Sequence, residues 1–196
     1  MEQKTILVMY SGGLDSLGTV YYLLTDPEYK DYRLHIHHVH QHNVENRHTA
    51  ESIAVNMVVK ELERLGFSFE YSESQIASQP YEGGYMYDTD SINFFAGYIC
   101  SVNPDIEFVA MGMQADDSNH SLEERRVRAN AIFGAFTSAK KIYPVLDKTK
   151  REIYDSLPNT LRNMFWSCRT PIYTKESIQP CGQCKTCQQL KAAGIR

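Results

Sequence analysis

Thr5-Ile6-Leu7-Val8-Met9-Tyr10-Ser11-Gly12-Gly13-Leu14-Asp15-Ser16 is the stretch that decides the fold. Its first half is a short, nearly continuous apolar run, the pattern of a strand buried on both faces. The run breaks at Ser11-Gly12-Gly13. Apolar residues then recur at helical spacing, at Leu17, Val20, Tyr21 and Leu24, until Asp26-Pro27 closes the helix. A buried strand, a glycine turn and a helix in that order open a βαβ unit, which requires a parallel sheet.

The same alternation continues downstream. Leu34 to Val39 reads as a second strand, followed by a polar loop and an amphipathic helix from about Thr49 to Leu65, stopped by Gly66. Phe67 to Tyr71 gives a third strand, Ser91 to Val102 a helix, Asn103-Pro104 a turn, and Ile106 to Met111 a fourth strand ending in Gly112. A helix is expected over Glu123 to Ala139 and a short extended segment over Ile142 to Leu146. Thr149 then serves as an N-cap, with Glu152 completing a capping box. Ser72 to Asp90, rich in Ser, Tyr and Gly, reads as an active-site loop or a mobile excursion. The expected fold is α/β: an open, Rossmann-like parallel sheet with helices on both faces over residues 1–160, plus a small cysteine-bearing appendage over residues 161–196.

Composition agrees with one domain. The chain has 196 residues, 42% hydrophobic and 22% charged. At that length about 70% of the unfolded surface is buried on folding, so a core forms without disulfides. Twenty Lys and Arg against 24 Asp and Glu give a net charge of −4. That balance argues against a protein that grips nucleic acid through a basic surface, so no direct nucleic-acid partner is expected. The sequence contains neither an apolar run long enough to span a bilayer nor a secretory leader after Met1, and a cytoplasmic location is expected.

The chemistry of Ser11 to Ser16 follows from its place after the first strand, where open α/β sheets bind ligands. Gly12 and Gly13 let the backbone approach an anion. The helix start offers free N–H groups and a positive dipole end, and the Ser11 and Ser16 hydroxyls add donors. Asp15, a carboxylate beside phosphates, makes sense as a ligand of Mg²⁺. A serine-capped structural turn is the alternative reading. The string lacks the lysine of a Walker loop and the three-glycine spacing of dinucleotide sites. It resembles the Ser-Gly-Gly-x-Asp-Ser loop of the N-type ATP pyrophosphatases (PP-loop enzymes), which cleave ATP between its α and β phosphates and adenylate a substrate oxygen.

Cys100 stands alone, whereas Cys168, Cys181, Cys184 and Cys187 crowd towards the end of the chain. Cys181-Gly182-Gln183-Cys184-Lys185-Thr186-Cys187 offers two successive x₂ spacings, with Cys168 upstream as the fourth ligand. Four thiolates around Zn²⁺ leave no open position, so the expected site is structural. Gly182 permits the tight turn between adjacent ligands. A redox pair, an iron–sulfur cluster and a reactive disulfide are the alternatives.

Taken together, the loop, Trp166-Ser167-Cys168 and Pro180-Cys181-Gly182-x-Cys184-x-x-Cys187 resemble the 7-cyano-7-deazaguanine synthases of the queuosine-precursor pathway. Asn46-Arg47-His48-Thr49-Ala50-Glu51 resembles the family's Gln-Arg-His-x-x-Glu stretch. Gly112-Met113-Gln114-Ala115-Asp116-Asp117 resembles its Gly-x-Asn-Ala-Glu-Asp, and Tyr143-Pro144 through Thr149-Lys150 its Pro-Leu-x-x-x-Thr-Lys run. The resemblance implies a C–N ligase that adenylates 7-carboxy-7-deazaguanine and uses ammonia to form the amide, then the nitrile, releasing AMP and pyrophosphate. It implies ATP, Mg²⁺ and Zn²⁺ as cofactors, and relatives of this kind tend to be homodimers. Catalytic roles fall to Asp15, Ser16, Arg47 and His48. Nucleotide contacts fall to Tyr10, Ser11, Gly12, Gly13, Leu14, Asp15, Ser16, Gly112 and Lys150, and substrate contacts to Asn93, Asp116, Asp117 and Arg125.

This chain departs from the family at Asp90-Ser91-Ile92-Asn93, which keeps only the Asn of a Pro-Ala-Arg-Asn motif, and at Ser118 to Arg125, where the family carries a cysteine. Three other readings stay open: a form that stops at the amide and serves DNA modification, a tRNA-modifying enzyme of the sulfur-transferase or lysidine-synthase type, and a binding protein that holds ATP without turnover. His35, His37, His38, His40, His42 and His48 suggest a metal site. However, His35 and His37 alternate along a strand and share a face that excludes His38 and His40. Ordinary polar positions account for them equally well.

Overall fold

The computed structural model describes residues 3–78, 87–115 and 123–195. The opening apolar run forms β1 (Thr5–Met9), and the helix beyond the glycine turn is α1 (Leu14–Thr25). β2 (Arg33–His42), α2 (His48–Arg64), β3 (Glu70–Ala77), α3 (Asp88–Val102), β4 (Ile106–Met111), α4 (Glu123–Gly134) and β5 (Lys140–Ile142) follow in alternation. Among the described residues the strands form a five-stranded sheet in the order β3-β2-β1-β4-β5, parallel throughout. The α/β class read from the sequence is the fold.

β1 is the central strand, and each of its residues is buried. Ile6 and Val8 join a core with Leu17 and Val20 of α1 and Val55, Val58 and Leu62 of α2. Leu7 and Met9 join a second core with Ala96, Ile99 and Cys100 of α3 and Phe133 of α4. Side chains alternate across a strand, so a strand covered on both faces must be apolar at every position. The two crossovers carrying α1 and α2 cover one face, and those carrying α3 and α4 cover the other. Right-handed connections require this arrangement once the strand order reverses at β1. The carboxyl ends of β1 and β4 therefore flank the switch point, where such sheets open a crevice.

Several elements depart from the sequence reading. β3 begins at Glu70 rather than Phe67 and runs to Ala77, through much of the segment expected to be an active-site loop. The cause is register: Glu70–Ala77 pairs residue for residue with His35–His42, so the longer β2 draws the polar segment into the ladder. As an edge strand, β3 tolerates polar residues on its open face. Phe67 and Phe69 pack against the core from the preceding turn instead. α3 starts at Asp88, earlier than Ser91, and α4 ends at Gly134, short of Ala139. β5 lies at Lys140–Ile142, because that is the part that pairs with Phe108–Ala110. The expected extended segment after Ile142 turns instead, through Tyr143–Leu146 and Val145–Lys148 hydrogen bonds.

The capping box forms as read. In α5 (Lys150–Ser156) the Thr149 hydroxyl accepts from the Glu152 amide, and the Glu152 carboxylate accepts from the Thr149 amide at 2.8 Å. Leu161 and Phe165 then return to the α1 and α2 face. An antiparallel hairpin of β6 (Ile172–Tyr173) and β7 (Ile178–Gln179) follows, and then α6 (Lys185–Ala192), whose Leu190 is buried in the same core as Ile6. Among the described residues no helix is long and apolar enough to cross a membrane.

Candidate functional site

The glycine turn stands at the switch point and is braced from several sides. The Ser11 and Ser16 hydroxyls lie 2.9 Å apart, and Ser16 Oγ donates to the Gly13 carbonyl at 3.1 Å. Gly12 has φ +83, a left-handed conformation that suits glycine, and a Cβ there would press on the Glu51 carbonyl at 3.2 Å. Gly13 is the N-cap of α1 and offers no side chain to the first-turn amides, which leaves them for other acceptors. Gly112 closes the crevice from β4: a Cβ there would lie 2.6 Å from the Ser16 nitrogen, so β4 packs directly on the first turn of α1. Tyr10 continues the ladder beyond β1 by donating its amide to the His37 carbonyl at 2.8 Å. Its side chain is buried, and burial raises its phenol pKa.

Asp15 lies in this first turn and Lys150 opens α5, yet Lys150 Nζ donates to both Asp15 carboxylate oxygens, at 2.9 and 2.8 Å. Lys150 is buried. Ser11, Gly12, Gly13, Leu14, Asp15, Ser16, Gly112 and Lys150 are thus assembled in one place, a helix N-terminus with a cation beside it. That combination suits an anion carrying several charges.

Arg47 and His48 sit where β2 gives way to α2. Arg47, the residue before the helix, faces three carboxylates: Nε is 2.8 Å from Glu45, Nη1 is 3.0 Å from Glu51, and Nη2 pairs with Asp88. Arg169 also meets Glu45, at 2.7 Å, and Asp88, at 3.1 Å. Arg47 thereby joins the α2 start to α3 and to the cysteine-bearing segment. Glu51 is 6% exposed, and burial pushes its carboxyl up to about 7 despite the opposing pull of Arg47. The His48 ring stacks on His42 with centroids 4.0 Å apart, and burial, His42 and His40 lower its pKa.

The remaining expected residues lie elsewhere. Asn93 is buried in α3 and donates Nδ2 to the Thr89 carbonyl at 2.7 Å. The Arg125 guanidinium covers the Tyr87 ring at 3.6 Å from its centroid. Both belong to the α3 and α4 side of the sheet. Asp116 and Asp117 fall outside the described residues, as does the 79–86 part of the expected active-site loop. The histidines divide by face as their alternation requires. His35 and His37 share the Ser72 hydroxyl at 2.6 and 2.7 Å, whereas His38 meets the Tyr10 carbonyl at 2.8 Å and His40 the Ser52 hydroxyl at 2.7 Å. Burial pushes His37 and His38 down to about 4, so they act as neutral hydrogen-bonding groups.

Among the described residues, Cys168, Cys181, Cys184 and Cys187 are the group with metal-holding geometry, their sulfurs all within 4.8 Å of one another. A single tetrahedral ion with bonds of about 2.3 Å sets its thiolates about 3.8 Å apart, so the spacing fits one ion. A four-iron cube places its irons between the thiolates and needs them spread wider. Gly182 has φ +70 and makes the turn the x₂ spacing implies. The Cys181 amide points at Cys168 Sγ at 3.2 Å, and the Cys184 amide and Thr170 hydroxyl point at Cys181 Sγ at 3.3 and 3.1 Å. Thr170 and the Gln183 and Cys184 amides hold the Cys181 thiol below its usual range, as a ligand thiolate requires. Burial pushes Cys187 up to about 12, so loading this site must displace a proton.

Reasoning from the sequence assigned no role to Ser167, Arg169, Glu45 or Asp88. Ser167 Oγ accepts from the Leu14 amide at 3.3 Å across 153 residues of chain. Its one sequence signal was the neighbouring Cys168. Asp88 had none, because it meets Arg47 and Arg169 only when the start of α3, the start of α2 and the cysteine segment converge.

No family profile matches the chain, and no curated protein matches it. Among solved structures it resembles the U34-tRNA thiolase NcsA from Methanococcus maripaludis with its [4Fe-4S] cluster, at a TM-score of 0.51 and 19% identity. The match covers 100% of this chain and 66% of that chain, so the present chain spans about two thirds of the thiolase's length. At this identity the likeness is one of fold. It lends nothing to the narrower 7-cyano-7-deazaguanine synthase reading.

Proposed function

We propose that the chain is an ATP-dependent enzyme that cleaves ATP between its α and β phosphates and adenylates a substrate oxygen. The observation that carries this is the glycine turn at the switch point, with Lys150 held on Asp15 at 2.8 Å beside the α1 N-terminus. In this reading the α1 amides and the Ser11 and Ser16 hydroxyls bind the phosphates. Lys150 neutralises charge as pyrophosphate departs, and Asp15 would hold the Mg²⁺ that accompanies ATP and screens its phosphates.

The substrate is 7-carboxy-7-deazaguanine, on the sequence resemblance. Its carboxylate oxygen attacks the α-phosphorus, the bond to the β-phosphate oxygen breaks, and pyrophosphate leaves. Ammonia then attacks the acyl carbon, AMP leaves with the bonding pair, and the nitrogen loses a proton, giving the amide. The amide oxygen then attacks the α-phosphorus of a second ATP, pyrophosphate leaves, and loss of AMP and the two N–H protons gives the nitrile. Arg47 and His48 are proposed as catalytic residues together with Asp15 and Ser16, and Asn93, Arg125, Asp116 and Asp117 as the residues that contact the acceptor. The four cysteines hold one structural Zn²⁺, a reading supported by their close spacing. The active form is proposed to be a cytoplasmic homodimer.

A second reading, a tRNA-modifying PP-loop enzyme, is favoured by the fold likeness to a tRNA thiolase. The net charge of −4 and the single-ion spacing of the sulfurs weigh against it. One assay separates them. Purified protein with ATP, Mg²⁺ and ammonium should form AMP only when 7-carboxy-7-deazaguanine is added, and product mass distinguishes amide from nitrile. AMP formation that requires tRNA, with about four irons per chain, would replace the first reading by the second.

A further inference from the structure

The cysteine segment and the glycine turn are joined by a strap of three residues. The Trp166 amide donates to the Gly12 carbonyl at 2.8 Å, and Ser167 Oγ accepts from the Leu14 amide at 3.3 Å. On its other side the strap is built into the knot. Cys168 is one of the four clustered thiols, and its carbonyl accepts from Trp166 Nε1 at 2.9 Å. The Ser167 carbonyl accepts from the Thr186 hydroxyl, which itself sits 3.2 Å from Cys184 Sγ. Gly13 would lie 3.6 Å from Ser167 Oγ if it carried a Cβ, so the strap covers the turn closely.

A helix usually caps its own first amides with the N-cap side chain. Gly13 cannot do so, and the hydroxyl that caps Leu14 comes instead from the segment that carries the four clustered thiols. An ion bound by those thiols would add to the folding free energy of the segment and so help to hold Cys168, and with it Ser167, in place. Resting on the reading of the turn as a nucleotide site, we infer that Ser167 is a positioning residue of that site. It holds the Leu14 end of the turn in its anion-binding form, and metal occupancy of the four-cysteine knot thereby sets nucleotide affinity. The coupling is reciprocal: if metal tightens nucleotide, nucleotide tightens metal by the same factor.

The test uses the full-length, zinc-loaded chain and α,β-methylene-ATP, which binds without turnover. Calorimetry measures affinity for the native protein and for Ser167→Ala and Ser167→Thr, with zinc content checked for each. A hydrogen bond of ordinary net strength predicts that Ser167→Ala weakens the analogue about three- to tenfold while retaining zinc, and that Ser167→Thr recovers most of the loss. Zinc affinity, titrated at equilibrium against a competing chelator, should rise when the analogue is present, by the factor by which metal loading raises the analogue's affinity. Equal analogue affinity for native protein and Ser167→Ala, or a zinc affinity indifferent to the analogue, overturns the inference and leaves the nucleotide site standing. Failure of the native, zinc-loaded protein to bind the analogue at all removes the nucleotide site as well.

Discussion

Replacing Glu51 with Gln isolates the energetic cost of a buried carboxylate in the first turn of α2. Glu51 is 6% exposed, and burial raises its pKa from the usual 4.5 to about 7. The sign follows from proton binding. The folded chain holds this proton more tightly than the unfolded one, so stability is full below pH 4.5 and is lost as pH rises towards 7. The rise from 4.5 to about 7 corresponds to about 3 kcal/mol, complete by pH 8 and under about 1 kcal/mol at pH 5. In the native chain this loss is masked. His37 and His38 are pushed down to about 4 by burial, so each stabilises above pH 6.5 and loses that contribution as pH falls towards 4. The two trends oppose each other over nearly the same window. Gln copies the protonated side chain in shape and charge, so the difference between variant and native protein removes the histidine contribution. Thermal melts followed by circular dichroism should show Glu51→Gln more stable at pH 8 by about 3 kcal/mol, or about 6–12 °C at this chain length, with the gap nearly closed at pH 5. Curves that stay parallel from pH 5 to pH 8 would show that Arg47, 3.0 Å away, keeps Glu51 ionised throughout and would refute the reasoning.

Three further outcomes follow from named contacts. Gly112→Ala places a Cβ 2.6 Å from the Ser16 nitrogen, and should cost about 1–3 kcal/mol in a chemical melt and abolish measurable ATP-analogue binding, since the first turn of α1 must shift off β4. Lys150→Met removes the cation held 2.8 Å from Asp15; AMP formation should fall at least about tenfold, and an unchanged rate would exclude Lys150 from pyrophosphate departure. Removing the metal with a chelator, or Cys184→Ser, should open residues 166–195 to limited proteolysis while the sheet keeps its circular dichroism, because Cys184 lies among the four clustered sulfurs.

The strand, turn and helix of residues 5 to 25 were legible because each position there answers to one demand: apolar on both faces, then glycine, then an apolar stripe. The Thr149 and Glu152 capping box and the cysteine spacing were legible for the same reason, being local chemistry between near neighbours. β3 was not. Its Ser-Glu-Ser-Gln run carries no strand pattern of its own and becomes a strand because β2 offers it an edge in register.

The sequence by itself determined the α/β class, the position of the glycine turn at a strand's carboxyl end and the membership of the thiol cluster. Each of these rests on interactions within a few residues or on a buried run with no polar alternative. Only the tertiary structure decided which distant groups complete the site. Lys150 reaches Asp15 across 135 residues, Ser167 caps Leu14 across 153, and Arg47 meets Asp88 across 41. Those pairings arise from the order in which parallel strands stack and from where the metal-binding segment folds back, and no spacing along the chain encodes either.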